Sequence, residues 1–87
     1  MAIVHLPPAL LALFPGAPAK VETPAETVGE AITALNARWP GMRDRLCDST
    51  PAIRGGINVF VEGQRATLQT PLVPGTEVVI LTAIRGG

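Results

Sequence analysis

Alternation of apolar and polar residues predicts two short strands in the first quarter of the chain. Over residues 2–6 the alternation directs Val4 and Leu6 inward and leaves His5 as a solvent-facing strand residue. Residues 20–23 form a second short strand, antiparallel to the first. Between these strands, residues 9–14 fit either a helical turn or an extended segment, and the pattern alone does not choose between them.

One helix is clearly marked in the sequence. Thr27 and Glu30 have the spacing of a capping box, in which the Thr hydroxyl and the Glu carboxylate each accept a hydrogen bond from an otherwise unpaired backbone N–H group. Pro40-Gly41 ends the helix, and residues 42–46 can form one further helical turn. Helical spacing places five apolar residues on one stripe: Val28, Ala31, Ile32, Leu35 and Trp39.

The second half of the chain supplies the sheet that this apolar stripe requires. Residues 57–61 are a strand, Glu62-Gly63 a turn, residues 64–66 a short return, and residues 77–81 a last strand that is free to pair with the first. The order β-β-α-β-β-β predicts an α+β fold of the β-grasp (ubiquitin-like) type. In this fold a mixed sheet of four to five strands covers one main helix. The predicted domain is residues 1–81, followed by a flexible tail, residues 82–87.

The two late strands predict an exposed apolar patch. Phe60 shares a strand face with Asn58, which is costly to bury unpaired, so that face is expected to point outward. In the last strand, Val79 and Leu81 lie on the face opposite Val78 and Ile80. Since one helix covers only one side of a sheet, we expect Phe60, Val79 and Leu81 to form a partner-binding patch. The alternative is that the loop over residues 48–56 covers some of them.

Composition excludes several classes of function. The 87 residues include 7 Lys and Arg, 7 Asp and Glu, and 3% aromatic residues, so there is neither a basic footprint nor a stacking platform for nucleic acid. One cysteine, Cys47, excludes an internal disulfide and is expected at a core edge. With one His and one Cys, no metal site is expected. No apolar run is long enough for a membrane span and no basic region precedes residues 6–14, so a cytoplasmic protein without membrane contact is predicted.

The sequence ends on Ala83-Ile84-Arg85-Gly86-Gly87, shortly after the last predicted strand. Two glycines can lie flat in a narrow channel, since they lack side chains and reach backbone angles that other residues do not reach easily. A free carboxylate on such an arm suits activation by another enzyme. The chain is also too small to enclose a roomy active-site cavity, so its size favours a carrier, adaptor or subunit.

These features resemble the small sulfur carrier proteins of the MoaD/ThiS type, over essentially the whole chain. The resemblance rests on residues 57–63, on the closing segment 75–81 and on the tail, Ala83, Ile84, Arg85, Gly86 and Gly87. The segment 40–48, followed by a loop and residues 57–61, is most similar to the carriers that serve cysteine synthesis. Carriers of this type commonly have a small or apolar residue just before the diglycine. The basic Arg85 departs from this pattern and is similar to the residue at that position in ubiquitin.

The resemblance implies a function without catalysis by this chain. An E1-like adenylyltransferase would use ATP to adenylate the Gly87 carboxylate, which then becomes a thiocarboxylate that donates sulfur, and the carrier itself would bind no cofactor. The favoured acceptor is a PLP-dependent cysteine synthase, with molybdopterin, thiamin or another sulfur-containing metabolite as other destinations. The rival interpretations are a ubiquitin-like modifier conjugated through Gly87 to lysines, and an inert β-grasp interaction module.

Overall fold

The computed structural model describes residues 1–48 and 52–82. Residues 9–14, for which the sequence left two conformations open, lie largely in a short helix, which Pro8 can begin because the first turn needs no backbone N–H donor there. The elements in chain order are β1 (Ala2–His5), α1 (Pro8–Leu13), β2 (Lys20–Thr23), α2 (Val28–Arg38), α3 (Met42–Leu46), β3 (Ile57–Val61), β4 (Gln64–Arg65) and β5 (Glu77–Thr82).

The five strands form one mixed sheet in the order β2-β1-β5-β3-β4. The pairs β1–β2, β3–β5 and β3–β4 are antiparallel, whereas β1 and β5 run parallel in the middle of the sheet. The predicted pairing of the last strand with the first is therefore confirmed. Strand bounds differ from the prediction by one residue: β1 ends at His5, β4 ends at Arg65 and β5 continues to Thr82.

The core is aliphatic, as the shortage of aromatic residues predicts, and lies between the inner face of the sheet and the helices. Of the aromatic residues, Phe14 and Trp39 are only partly buried and pack at the core's edge. The longest helix, α2, has 11 residues, and no helix in the described ranges is long and apolar enough to cross a membrane. The largest fully buried side chains are those of Val4, Val28, Ile32, Leu35, Met42, Leu46, Val59, Val78 and Ile80.

The start of α2 differs in one detail from the capping box that the sequence predicts. Thr27 Oγ1 accepts a hydrogen bond from the Glu30 backbone N–H at 3.1 Å, as expected. The Glu30 carboxylate, however, accepts from the N–H of Glu26 at 2.9 Å, one residue before the N-cap, and not from Thr27. The Glu30 side chain therefore fixes the chain entering the helix, and also lies in the first turn, where a negative charge is favourable.

Candidate docking surface on the open sheet face

The predicted patch residues lie together on the sheet face opposite the helices. Phe60 on β3 pairs directly with Val79 on β5, and Leu81 pairs with Asn58. Phe60 and Val79 are half-buried, and Leu81 is 46% exposed. The outward orientation follows from strand alternation, because the intervening pair, Val59 and Ile80, is buried in the core.

Strand β1 adds two residues that the sequence did not assign to this surface. The parallel register places His5 beside Val79 and Ile3 beside Glu77. Ile3 is half-buried and extends the apolar surface, while His5 Nε2 lies 2.8 Å from Glu77 Oε1. Alternation in β1 indicated that His5 faces outward. Its neighbours depend on the pairing of two strands that are more than seventy residues apart.

Strand β2 and strand β4 complete this face with polar residues. Lys20 and Glu22 pair with His5 and Ile3, respectively, and Arg65 pairs with Phe60. All three polar side chains are exposed. We call the whole outward surface the open face, consisting of Ile3, His5, Lys20, Glu22, Asn58, Phe60, Arg65, Glu77, Val79 and Leu81.

The open face and the tail meet at one end of β5. Leu81 is the open-face residue nearest the end of that strand, and Thr82, its last residue, pairs with Ile57. Thr82, which the sequence assigned to the tail, is thus part of β5, and the remaining tail residues, Ala83, Ile84, Arg85, Gly86 and Gly87, lie outside the described residues. A partner that contacts Leu81 is therefore seated next to the origin of the tail.

The side chains that could take part in chemistry are not assembled into a reactive centre in the described ranges. Cys47 is 5% exposed, and burial raises the pKa of its thiol, although the nearby Arg43 guanidinium lowers it in part. A neutral, buried thiol is a poor nucleophile. Within residues 1–48 and 52–82 no group of three His, Cys, Asp or Glu side chains could hold a metal ion.

The chain is similar in sequence to sulfur carrier proteins of two mycobacteria. The chain is 30% identical to the sulfur carrier protein CysO of Mycobacterium tuberculosis, over 92% of this chain and 92% of that protein. The same values hold for the sulfur carrier protein CysO of Mycobacterium bovis.

Solved structures show the same fold. A chain in the crystal structure of the Amycolatopsis orientalis BexX/CysO complex superposes with a TM-score of 0.89 at 27% identity, covering 100% of both chains. Mycobacterium tuberculosis CysO gives a TM-score of 0.85 at 26% identity, over 97% of this chain and 100% of that chain. SAMP1 from Haloferax volcanii, at 24% identity and a TM-score of 0.78 over 99% of this chain and 98% of that chain, shares the fold.

These likenesses confirm the predicted ubiquitin-like β-grasp fold. The model of the ThiS family matches residues 11–87, which include β2, the three late strands and the tail. The resemblance noted in the sequence is thereby confirmed, and this chain belongs to the ThiS family.

Proposed function

We propose that this protein is a sulfur carrier whose Gly87 carboxylate is converted to a thiocarboxylate. The observation that supports this most directly is the family match, which continues through the diglycine at residues 86 and 87. Identity of 30% to the sulfur carrier protein CysO over most of both chains supports the same class of function.

The chemistry proceeds in two steps on a partner enzyme. A Gly87 carboxylate oxygen attacks the α-phosphorus of ATP, and pyrophosphate leaves. The sulfur of a sulfide ion then attacks the carbonyl carbon of the acyl-adenylate, and AMP leaves with the former carboxylate oxygen. If a persulfide attacks instead, the acyl disulfide that forms must be cleaved by a thiol to release the thiocarboxylate.

The role of the carrier in this chemistry is to present its Gly87 carboxylate to the partner enzyme. The open face docks on the activating enzyme, and the tail then extends into the ATP site. Residues 83–87 follow β5. Five extended residues span at most about 17 Å. The ATP site must accordingly lie within this distance of the docked end of β5, near Leu81. Because glycine has no Cβ, a channel shaped for Gly86 and Gly87 excludes residues that have a side chain.

Intact-mass analysis of the protein recovered from its native cell tests this proposal. A sulfur carrier gives a species in which one carboxylate oxygen is replaced by sulfur. Larger conjugates with lysine-linked Gly87 would instead identify a ubiquitin-like modifier, and an unmodified mass under sulfur-demanding growth would identify an inert β-grasp module. Either of these two outcomes contradicts the proposal.

We further propose that the acceptor of the sulfur is a PLP-dependent enzyme resembling cysteine synthase. This rests on the segment 40–48 and on the likeness to CysO over most of the chain. Thiocarboxylated protein on a resin should retain such an enzyme from lysate, whereas carrier with an ordinary carboxylate serves as the control. Exclusive retention of the large subunit of a molybdopterin synthase would overturn this assignment.

A further inference from the structure

One row of side chains crosses the open face from edge to edge. Lys20 pairs with His5, His5 with Val79, Val79 with Phe60 and Phe60 with Arg65, so the row contains one residue from each of the five strands. Adjacent strands lie about 4.8 Å apart, so the Cα atoms of Lys20 and Arg65 are separated by about 19 Å.

The row has an apolar centre and a cation at each end. Val79 and Phe60 are half-buried, and Lys20 and Arg65 are exposed. Within residues 1–48 and 52–82, neither the Lys20 nor the Arg65 side chain forms a hydrogen bond or ion pair, so both charges are available to a partner. His5, between Lys20 and Val79, is engaged with Glu77.

The neighbouring rows on the open face differ from this row in their charge. Toward the start of β5, the neighbouring row contains Glu22, Ile3 and Glu77 and is therefore acidic at two of three positions. Toward the tail, the neighbouring pair is Asn58 and Leu81, which has no charge. The open face thus has a direction: acidic groups lie away from the tail, two cations flank the middle, and an apolar contact lies beside the tail.

We propose that the open face docks a protein surface with an apolar strip between two carboxylates about 19 Å apart, which meet Lys20 and Arg65. The inference rests on the proposed function, because the occupant is the enzyme that takes up the tail. The position of the tail favours this occupant, because a partner seated on Leu81 lies beside the origin of residues 83–87. Two open faces laid row over row would place cation against cation at both ends, and like charges in contact oppose association.

Charge reversal tests the proposal. Lys20→Glu and Arg65→Glu are compared with Arg45→Glu, which makes the same change in net charge at an exposed residue of α3, on the helix side of the sheet. The probe is the adenylyltransferase from the same organism that catalyses pyrophosphate exchange with the unchanged protein. Association rates are measured at low and high salt, and circular dichroism verifies that each variant is folded.

We expect each open-face reversal to slow association about tenfold at low salt, with the difference shrinking at high salt, because complementary charges mainly steer encounter. Arg45→Glu should associate at close to the original rate. Equal slowing by all three variants would show only an effect of net charge and overturn the proposal, as would unchanged association in the two open-face variants. Salt-resistant dimers of the unchanged protein would overturn it in favour of a second copy.

The same samples separate this inference from the proposed function. If the unchanged protein acquires a thiocarboxylate but the reversals associate normally, the docking inference fails while the carrier function stands. If no thiocarboxylate forms when the unchanged protein is incubated with the adenylyltransferase, ATP and a sulfide or persulfide donor, the proposed function itself fails.

Discussion

Phe60 and Val79 lie directly opposite each other on antiparallel strands, and both are only half-buried, although their chain neighbours Val59 and Ile80 form the next pair and are each 1% exposed. One step along the strand thus separates a core pair from a surface pair. This contrast allows docking and folding to be tested with neighbouring substitutions.

Truncation of the patch should weaken docking more than it weakens the fold. We expect Phe60→Ala and Leu81→Ala each to weaken binding to the activating enzyme by ~1–3 kcal/mol, as for apolar anchors at interfaces. Ile80→Ala, by contrast, removes a fully buried side chain and should destabilise the domain by ~2–5 kcal/mol. Binding titrations and melting curves on the same variants separate the two effects.

The matched control for this experiment is Val73→Ala. Val73 is apolar and 67% exposed, but it lies in the connection between β4 and β5 and not on the open face. Its truncation should change neither binding nor melting temperature appreciably. If Phe60→Ala unfolds the domain and Val59→Ala does not, the assignment of the two sheet faces is wrong.

Deletion of Gly87, or extension of the chain beyond it, should abolish adenylation and leave the fold intact. The reason is that activation requires a free carboxylate on a backbone without side chains. The fold should persist because the buried core residues lie between Ala2 and Ile80 and are unchanged. Pyrophosphate exchange with the adenylyltransferase measures activation, and a melting curve measures the fold. Normal exchange by an extended variant would contradict the carrier function.

Gly41→Ala should destabilise the domain by roughly 1–2 kcal/mol, because a Cβ is disfavoured in the left-handed region. Gly41 has a φ of 98° at the start of α3, and an added Cβ would meet the Phe14 ring only at an ordinary distance of 3.7 Å. The cost therefore comes from the backbone and not from a clash. Urea denaturation measures the free energy of unfolding.

Gly55→Ala is the control for this substitution. No atom lies within 4 Å of an added Cβ at Gly55, and its φ is not positive. The variant should unfold at nearly the same urea concentration as the original protein. An equal loss of stability in both variants would show that strain at Gly41 is not the cause.

The buried thiol of Cys47 should make stability depend on alkaline pH. Its pKa is raised in the folded state by burial, with Arg43 opposing this effect in part. The neutral thiol is therefore favoured by folding, and its contribution is fully present below the unfolded pKa of about 8.5 and is lost as pH rises through the higher folded pKa. We expect the difference in unfolding free energy between the original protein and Cys47→Ala to shrink between about pH 7 and about pH 10. A constant difference over this range would contradict the prediction.

Local sequence determined the elements whose signals are short in range. Thr27 and Pro40-Gly41 mark the two ends of α2, which begins after its Thr27 cap and ends at Arg38. Alternation over residues 57–61 and 77–81 correctly directs Val59 and Ile80 into the core and Phe60 and Val79 outward. These features follow from side chains within a few positions of each other, where helix and strand geometry dictates which residues share a face.

Only the tertiary structure decided which strands became neighbours. The sequence showed that His5 faces outward, but the parallel register of β1 against β5 places it beside Val79 and within 2.8 Å of Glu77. The same pairings align Lys20 and Arg65 at opposite ends of one row. Likewise, residues 9–14 had two local solutions, and burial of Leu10 in the shared core accompanies the helical one. Such choices depend on the free energy of contacts between residues far apart in the chain. A local sequence pattern does not reveal which of these contacts form.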